Sequence, residues 1–263
     1  MKLSRYKRSA SVSYALGATI VYELYKTHPE LIARVFLRPD IDHGQDLQHL
    51  LSLLKDQRIE IIESSKAFNI LGAKDNCLLI AEFQKPGTHL ESTSDTPHVV
   101  LVNPSDAGNL GTIMRMAVAF GYENLALIEP CVDPYDPKAI RASMGAVFHL
   151  RVEVLQSFQN YLDHNTSPSE NRQFYAFMLN KNAISLPELT LPNTPNYGLI
   201  FGNEAAGLPR DFCEQYGEDA NITPVFIPQS ANVDSLNLST AASIALYEFS
   251  IKKPDPQTPS ILI

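Results

Sequence analysis

NITPVFIPQSANVDSLNLSTAASIALYEFSIK, residues 221–252, decides how the rest of the chain is read. It opens on a strand-forming run, TPVFI at 223–227, passes into a polar loop from Pro228, and ends in a helix. In that helix Leu238, Ala241, Ala242, Ala245 and Phe249 return at helical spacing. Ser235, Leu236 and Asn237 therefore stand at a helix entrance, where unpaired backbone N–H groups can meet a ligand's acceptors. The plainer alternative is that Ser235 or Asp234 caps the helix.

Reading backward, the same alternation recurs. YGLIF (197–201), FYAFM (174–178), residues 151–155, NLALI (124–128) and HVVLV (98–102) read as strands, with helices over 157–162, 138–147 and 110–120. Short apolar strands alternating with helices imply an α/β fold with a mostly parallel sheet covered on both faces. Ligands of such sheets collect at loops leaving the carboxyl ends of strands. That rule selects residues 103–111, 202–209 and 228–237.

The front of the chain reads as a helix over 11–25, a strand ARVFL (33–37), a helix over 47–55, a strand over 59–62 and a buried strand CLLIAEF (77–83). This is an alternating α and β unit of domain size over residues 1–90. The polar, proline-bounded stretch KPGTHLESTSDTP supplies a linker, set at 91–97. A second domain then runs over 98–252, and residues 253–263 read as a frayed tail.

Charge bounds the partners. The net charge of -8 works against a polyanionic partner, but its distribution is uneven. Residues 1–90 carry 12 Lys and Arg against 10 Asp and Glu, and residues 91–263 carry 9 against 19. The basic excess gathers at Lys2, Arg5, Lys7 and Arg8, which could be a solvated terminus or a phosphate contact. No apolar run reaches the roughly 18 residues a membrane span needs, and no leader pattern opens the chain, so a cytoplasmic protein is expected. Cys77, Cys131 and Cys213 are distant from one another and lack ligand-spaced histidines. Reduced thiols and no metal site are expected.

The loop NPSDAGNLG delivers Asn109 to a helix whose apolar stripe is Leu110, Ile113, Met114, Ala117 and Val118. Arg115 lies off that stripe and, leaning toward the helix N-terminus, could reach back over the loop to grip a phosphate or orient a hydroxyl. The structural alternative is a capping asparagine and an exposed arginine. In FGNEAAGLP, Gly202 and Gly207 bracket Glu204. This is neither GxGxxG nor GxxxxGK[ST], so nucleotide triphosphate chemistry loses support.

Together, GNLGTIMRMAVAFG (108–121), LIFGNEAAGLP (199–209) and IPQSANVDSLNLSTAASIALYE (227–248), with IRASMGAVFHL (140–150) between, resemble the SpoU, or TrmH-like, branch of the SPOUT RNA methyltransferases. Residues 1–90 resemble, less specifically, the L7Ae/L30e-like substrate-binding domain that often precedes it. The resemblance implies an α/β-knot, a deep trefoil knot in which S-adenosylmethionine binds bent, with the site completed across a homodimer interface. It implies methyl transfer to a ribose 2′-hydroxyl of rRNA or tRNA. Residue by residue, Asn109 and Arg115 match the first motif, with Arg115 acting as or assembling the general base. Glu204 matches the second motif's acid, and Ser235 and Asn237 the third motif's polar pair, orienting substrate and Arg115. Gly202, Ile227 and Leu236 match positions whose main chain holds the cofactor. The RNA contacts expected with this reading are Arg5, Lys7, Arg8 and Arg141. Departures are the residues SDA (105–107) between Asn103-Pro104 and the motif, Met116 at a usual threonine, and the uncharged Asn203, Ala205 and Ala206. The alternative from another class is a non-catalytic RNA-binding or ribosome-assembly protein on the same fold.

Overall fold

The computed structural model describes residues 3–39, 44–87, 90, 96–165, 172–191, 194–217 and 220–251. The tail and residues 91–95 of the linker named above lie outside the described residues. The chain forms two compact units. One comprises Met1–His89, Asp106–Arg115 and Val132–Val152, the other Leu90–Ser105, Met116–Cys131 and Glu153–Ile263.

The first unit holds β1 (Val12–Leu16), α1 (Ala18–Thr27), β2 (Ile32–Leu37), α2 (Gln45–Asp56), β3 (Ile61–Glu63), α3 (Ser65–Leu71) and β4 (Leu79–Gln84). Its sheet runs β1-β4-β2-β3, with β4 antiparallel to both neighbours and β3 parallel to β2. The helix expected over 11–25 is corrected: its first half is a strand. Val12 to Ala15 are all buried, as a strand covered on both faces requires, and Gly17 at φ 113 breaks the chain before α1 begins. The periodicity over 11–25 fitted both structures, and only the glycine separates them. α3 was not anticipated. Ser64 accepts a hydrogen bond from the Ala67 N–H at 3.3 Å to start it, and Gly72 in the left-handed region ends it.

Two later segments complete this unit. α4 (Ala107–Ala119) begins here, and α5 (Pro137–Ala142) follows Asp136, whose carboxylate accepts from the Lys138 N–H at 2.8 Å. The helix expected over 138–147 is interrupted, because Met144 (φ 54) and Gly145 (φ 87) adopt left-handed backbone before a 3-10 turn at Ala146–His149. Gly111 shows why α4 and α5 approach so closely. A Cβ there would lie 2.3 Å from the Ala142 Cβ and 2.7 Å from the Ser143 nitrogen.

The second unit carries β5 (His98–Val102), β6 (Asn124–Ile128), β7 (Arg151–Leu155), α6 (Phe158–Asn165), β8 (Gln173–Phe177), β9 (Ile184–Ser185), β10 (Tyr197–Phe201), α7 (Phe212–Tyr216), β11 (Asn221–Phe226) and α8 (Leu238–Ile251). The sheet order is β7-β6-β5-β10-β8-β11-β9, and the pairs β5/β6, β5/β10, β8/β10, β8/β11 and β9/β11 are all parallel. β5 and β10 are buried along their whole length, which is why they read as continuous apolar runs. β11 tolerates Pro224 because β9 pairs with it only at Val225 and Phe226. On one side, Phe158 packs among Phe174, Phe212 and Tyr216. Elsewhere Phe249 of α8 is fully buried against Tyr175 and Tyr197. Each such ring contributes about 2 kcal/mol by leaving water. Among the described residues no helix is long and apolar enough to cross a membrane.

Candidate functional site

The strand order reverses between β5 and β10. β5 is followed by neighbours on one side, β6 and β7, whereas β10 leads by way of α7 to β11 on the other. Ligands of parallel sheets collect at the carboxyl edge near such a reversal, and here the loops leaving these two strands are stitched together.

The turn after β10 is built around Gly202 and Asn203. A Cβ on Gly202 would fall 2.1 Å from the Gly207 carbonyl carbon and 2.3 Å from the Leu208 nitrogen, so only glycine fits. Asn203 and Gly207 exchange backbone hydrogen bonds of 3.2 and 2.9 Å, with Gly207 at φ 66. The Asn203 side chain accepts from the Ala205 and Ala206 N–H groups at 2.9 and 3.0 Å. Its amide nitrogen donates to the Asn103 carbonyl at 2.8 Å and to the Glu204 carboxylate at 3.2 Å. Ser105 completes the stitch, donating to Glu204 from its N–H at 3.0 Å and from its hydroxyl at 2.7 Å. Donors from Ser105 and Asn203 thus fix the position of the Glu204 side chain.

Beside this turn lies a cleft of about 780 Å³, whose lining includes Gly202, Glu204, Ser235 and Leu236 as well as Met178 and Leu179 from the loop after β8. A smaller hollow of about 130 Å³ adds Ile227 to Ser235 and Leu236. Five of the expected site residues, Gly202, Glu204, Ile227, Ser235 and Leu236, are thereby brought together. Behind the loop after β8, the Cys213 sulfur sits 3.6 Å from that of Met178. Burial first, then the charge of Glu214, pushes its thiol up from the ordinary range, so it stays protonated.

Asn237 lies outside that lining and takes the capping role considered above for Ser235 or Asp234. Its side-chain oxygen accepts from the Ser239 N–H at 2.9 Å, the Thr240 N–H at 3.2 Å and the Ser239 hydroxyl at 2.7 Å. Capping of α4 likewise falls to Asp106, which accepts from the Asn109 N–H at 2.7 Å, and not to Asn109. Residues 105–107, given above as a departure from the motif, thus contain the start signal of α4 and, in Ser105, a partner of Glu204. Arg115, on α4 in the first unit, is exposed, and among the described residues nothing hydrogen bonds its guanidinium. Arg5, Lys7, Arg8 and Arg141 are exposed on the same unit. Among the described residues no group of His, Cys, Asp and Glu could hold a metal ion.

Asn203 and Ser105 are the site residues that sequence reasoning missed. Nothing in periodicity links residue 203 to residue 103. The available signal was chemical: an asparagine directly after a strand and before a glycine-closed turn is a side chain that bonds its own backbone.

The SpoU rRNA Methylase family matches residues 96–247, more than half of the chain. The 23S rRNA (guanosine(2553)-2'-O)-methyltransferase RlmP of Bacillus subtilis is 30% identical over 158 residues, covering 60% of this chain and 59% of that protein. The 23S rRNA (uridine(2479)-2'-O)-methyltransferase of Streptomyces viridochromogenes is 29% identical over 167 residues, covering 57% and 50%. The chain thus spans between half and three-fifths of these relatives' length. Among solved structures, the SpoU methyltransferase AviRb of Streptomyces viridochromogenes in complex with AdoMet superposes with a TM-score of 0.75 at 21% identity, over 92% of this chain and 90% of that one. That likeness shows a shared α/β fold. On the extent of the sequence match, the chain belongs to the SpoU rRNA methylase family.

Proposed function

We propose that this chain is an S-adenosylmethionine-dependent RNA methyltransferase acting on a ribose 2′-hydroxyl in rRNA or tRNA. The observation that carries the reading is the cleft at the carboxyl ends of β8 and β10, lined by residues of two motifs, Gly202 and Glu204 from one and Ser235 and Leu236 from the other. The residues fit the cofactor. Gly202 contributes main chain alone, because no side chain has room there, and the apolar Ile227 and Leu236 bring backbone able to read an adenine edge. The bound cofactor supplies an electrophilic methyl group on a sulfonium.

The protein's own tasks are alignment and removal of one proton. Ser235 and Asn237 orient the ribose. Arg115 grips the adjoining phosphate and assembles the general base with it, since a guanidinium itself stays protonated. Glu204, fixed by Ser105 and Asn203, holds its acceptors toward the cleft, and Asn109 steadies the first loop. Arg5, Lys7, Arg8 and Arg141 take RNA phosphates. Family membership supports three further expectations: a trefoil knot formed by the C-terminal segment, an L7Ae/L30e-like substrate-binding fold for residues 1–90 ahead of a methyltransferase domain over 98–252, and a homodimer in the cytoplasm. The exposed Ile244, Tyr247 and Ile251 on α8 are in keeping with a partner subunit there.

The test is methyl incorporation from labelled S-adenosylmethionine into RNA of a strain lacking the protein, with calorimetry for cofactor binding. The expected result is transfer at a 2′-hydroxyl that falls by about a hundredfold or more in Arg115→Ala. Full activity in Arg115→Ala would remove the assigned mechanism. Cofactor-independent RNA binding without transfer would favour the non-catalytic alternative.

A further inference from the structure

The cleft beside the turn over 202–208 is charged in one part and apolar in another. The smaller hollow, which holds Ile227 and Leu236, has no Lys, Arg, Asp or Glu in its lining. The larger cleft adds Lys181, Arg210 and Glu214 to Glu204. The two cations stand out against an acidic half of the chain. In the second unit the Lys and Arg residues are Arg172, Lys181, Arg210, Lys252 and Lys253. Lys252 and Lys253 lie outside the described residues, and Arg172 is buried, donating to the Thr96 and Tyr197 carbonyls at 2.8 and 3.2 Å. Every exposed cation among the described residues of this unit therefore lines the cleft.

Separate elements bring the two cations there. After β8 the Met178 N–H donates to the Val225 carbonyl at 3.0 Å, and a tight turn follows. Asn180 accepts from the Asn182 N–H through its side chain at 2.9 Å and from the Ala183 N–H through its carbonyl at 3.1 Å, which leaves Lys181 at the tip. Arg210 stands between the buried Leu208 and α7, where the Phe212 N–H donates to the Pro209 carbonyl at 3.0 Å. The two segments meet at the contact of 3.6 Å between the Cys213 and Met178 sulfurs, each three residues from its cation. Lys181, Arg210 and Glu214 are all exposed, and among the described residues none of them makes a hydrogen bond or an ion pair. Glu204, by contrast, is already taken by Ser105 and Asn203.

S-adenosylmethionine has an uncharged adenosine and, beyond its sulfonium, an amino acid end with one carboxylate and one ammonium. We propose that Lys181 and Arg210 bind that carboxylate and Glu214 the ammonium, so that the cleft reads the amino acid end of the cofactor while the hollow takes its adenine. The inference rests on the reading that this is the cofactor, and it extends the site to residues outside the three sequence motifs. A guanidinium matches a carboxylate as a planar fork, and an ammonium adds a second charge from the opposite segment. Fixing the far end of the cofactor also fixes the direction in which its methyl group points, which alignment with the nucleophile requires. The rival source of an anion at the same two cations is an RNA phosphate.

The test is calorimetry on the full chain with two ligands, S-adenosylhomocysteine and 5′-methylthioadenosine. The second keeps the adenosine and the sulfur but has a methyl group in place of the amino acid end. Exposed ion pairs are individually weak, so the combined variant Lys181→Ala/Arg210→Ala is expected to raise the S-adenosylhomocysteine Kd about tenfold and Glu214→Gln about threefold. The 5′-methylthioadenosine Kd should stay at the wild-type value in both, and Arg210→Lys, which keeps the charge, should lose less than Arg210→Ala. An unchanged S-adenosylhomocysteine Kd in the combined variant overturns the proposal, and so does an equal loss for both ligands. A raised KM for RNA with an unchanged S-adenosylhomocysteine Kd would assign the two cations to an RNA phosphate instead. A wild-type chain that binds neither ligand overturns the cofactor reading together with the proposal. One that binds both without the expected selectivity in the variants overturns the proposal alone. Selective loss in a chain that transfers no methyl group would refute the methyltransferase reading and leave the subsite standing.

Discussion

The turn over 202–208 and the loop over 227–237 both line the cleft, and they are held in opposite ways. In the turn, Asn203 bonds forward to Ala205 and Ala206 and across to Asn103, while Gly202 closes against Gly207. In the loop, residues 228–235 are exposed, with Val233 at 50%. Its bonds are local: Val233 N–H to the Ser230 carbonyl at 3.1 Å, Asn232 N–H to the Ser230 hydroxyl at 3.2 Å, and Gln229 to the Asp234 carbonyl at 3.2 Å. One wall is fixed by a bonded network that reaches Asn103 and Ser105, and the other presents the exposed Ser235 to the cleft. Substitutions along the two walls should therefore separate stability from binding.

Gly202→Ala carries the largest expected effect on stability. The new methyl group would meet main-chain atoms on Gly207 and Leu208, which cannot rotate aside. A loss of about 3 kcal/mol is expected in denaturant unfolding, with cofactor binding lost as well. A variant as stable as the wild type would mean the turn is not the rigid wall. Asn203→Ala comes next. It leaves the Ala205 and Ala206 N–H groups and the Asn103 carbonyl without this partner, at about 2 kcal/mol. The same unfolding curves measure it, and cofactor affinity should fall with stability, since Glu204 loses its neighbour in the stitch.

At the far end of the loop, Asn237→Ala removes the cap of α8. Three donors lose their acceptor, and the helix start should weaken by about 1 kcal/mol, visible as a lower melting temperature. Asn237→Asp retains the acceptor and should restore the melting temperature without restoring methyl transfer, if the amide also orients the ribose.

The two walls were unequally legible in the sequence for a physical reason. β5, β6 and β10 lie where continuous apolar runs placed them, because burial on both faces leaves no other reading. The loops between them were selected by the strand-end rule alone. Asn203 was not seen as structural, because its partner at Asn103 is brought near only by the pairing of β5 with β10. β1 was read as helix because Val12, Ala15 and Leu16 satisfy helical spacing while their burial comes from β4, far along the chain. The break at Met144 is a non-glycine residue in left-handed backbone, which no propensity signals. Gly202 and Leu236, which line the cleft, were legible only through resemblance, since neither a glycine nor a leucine carries a side-chain signature of a ligand site.

Ser235→Ala carries the smallest expected effect on stability and is the sharpest test of the contrast. Ser235 is exposed, lines both the cleft and the smaller hollow, and among the described residues makes no hydrogen bond through its hydroxyl. Removing that hydroxyl takes nothing from the folded chain, so unfolding should shift by less than about 0.5 kcal/mol. If the hydroxyl orients the ribose, methyl transfer should nevertheless fall about a hundredfold, with the cofactor Kd unchanged, because a misplaced nucleophile costs rate rather than binding. A stability loss equal to that of Asn237→Ala would place Ser235 among the fold's own contacts. Unchanged transfer at unchanged stability would leave the second wall without its proposed ligand.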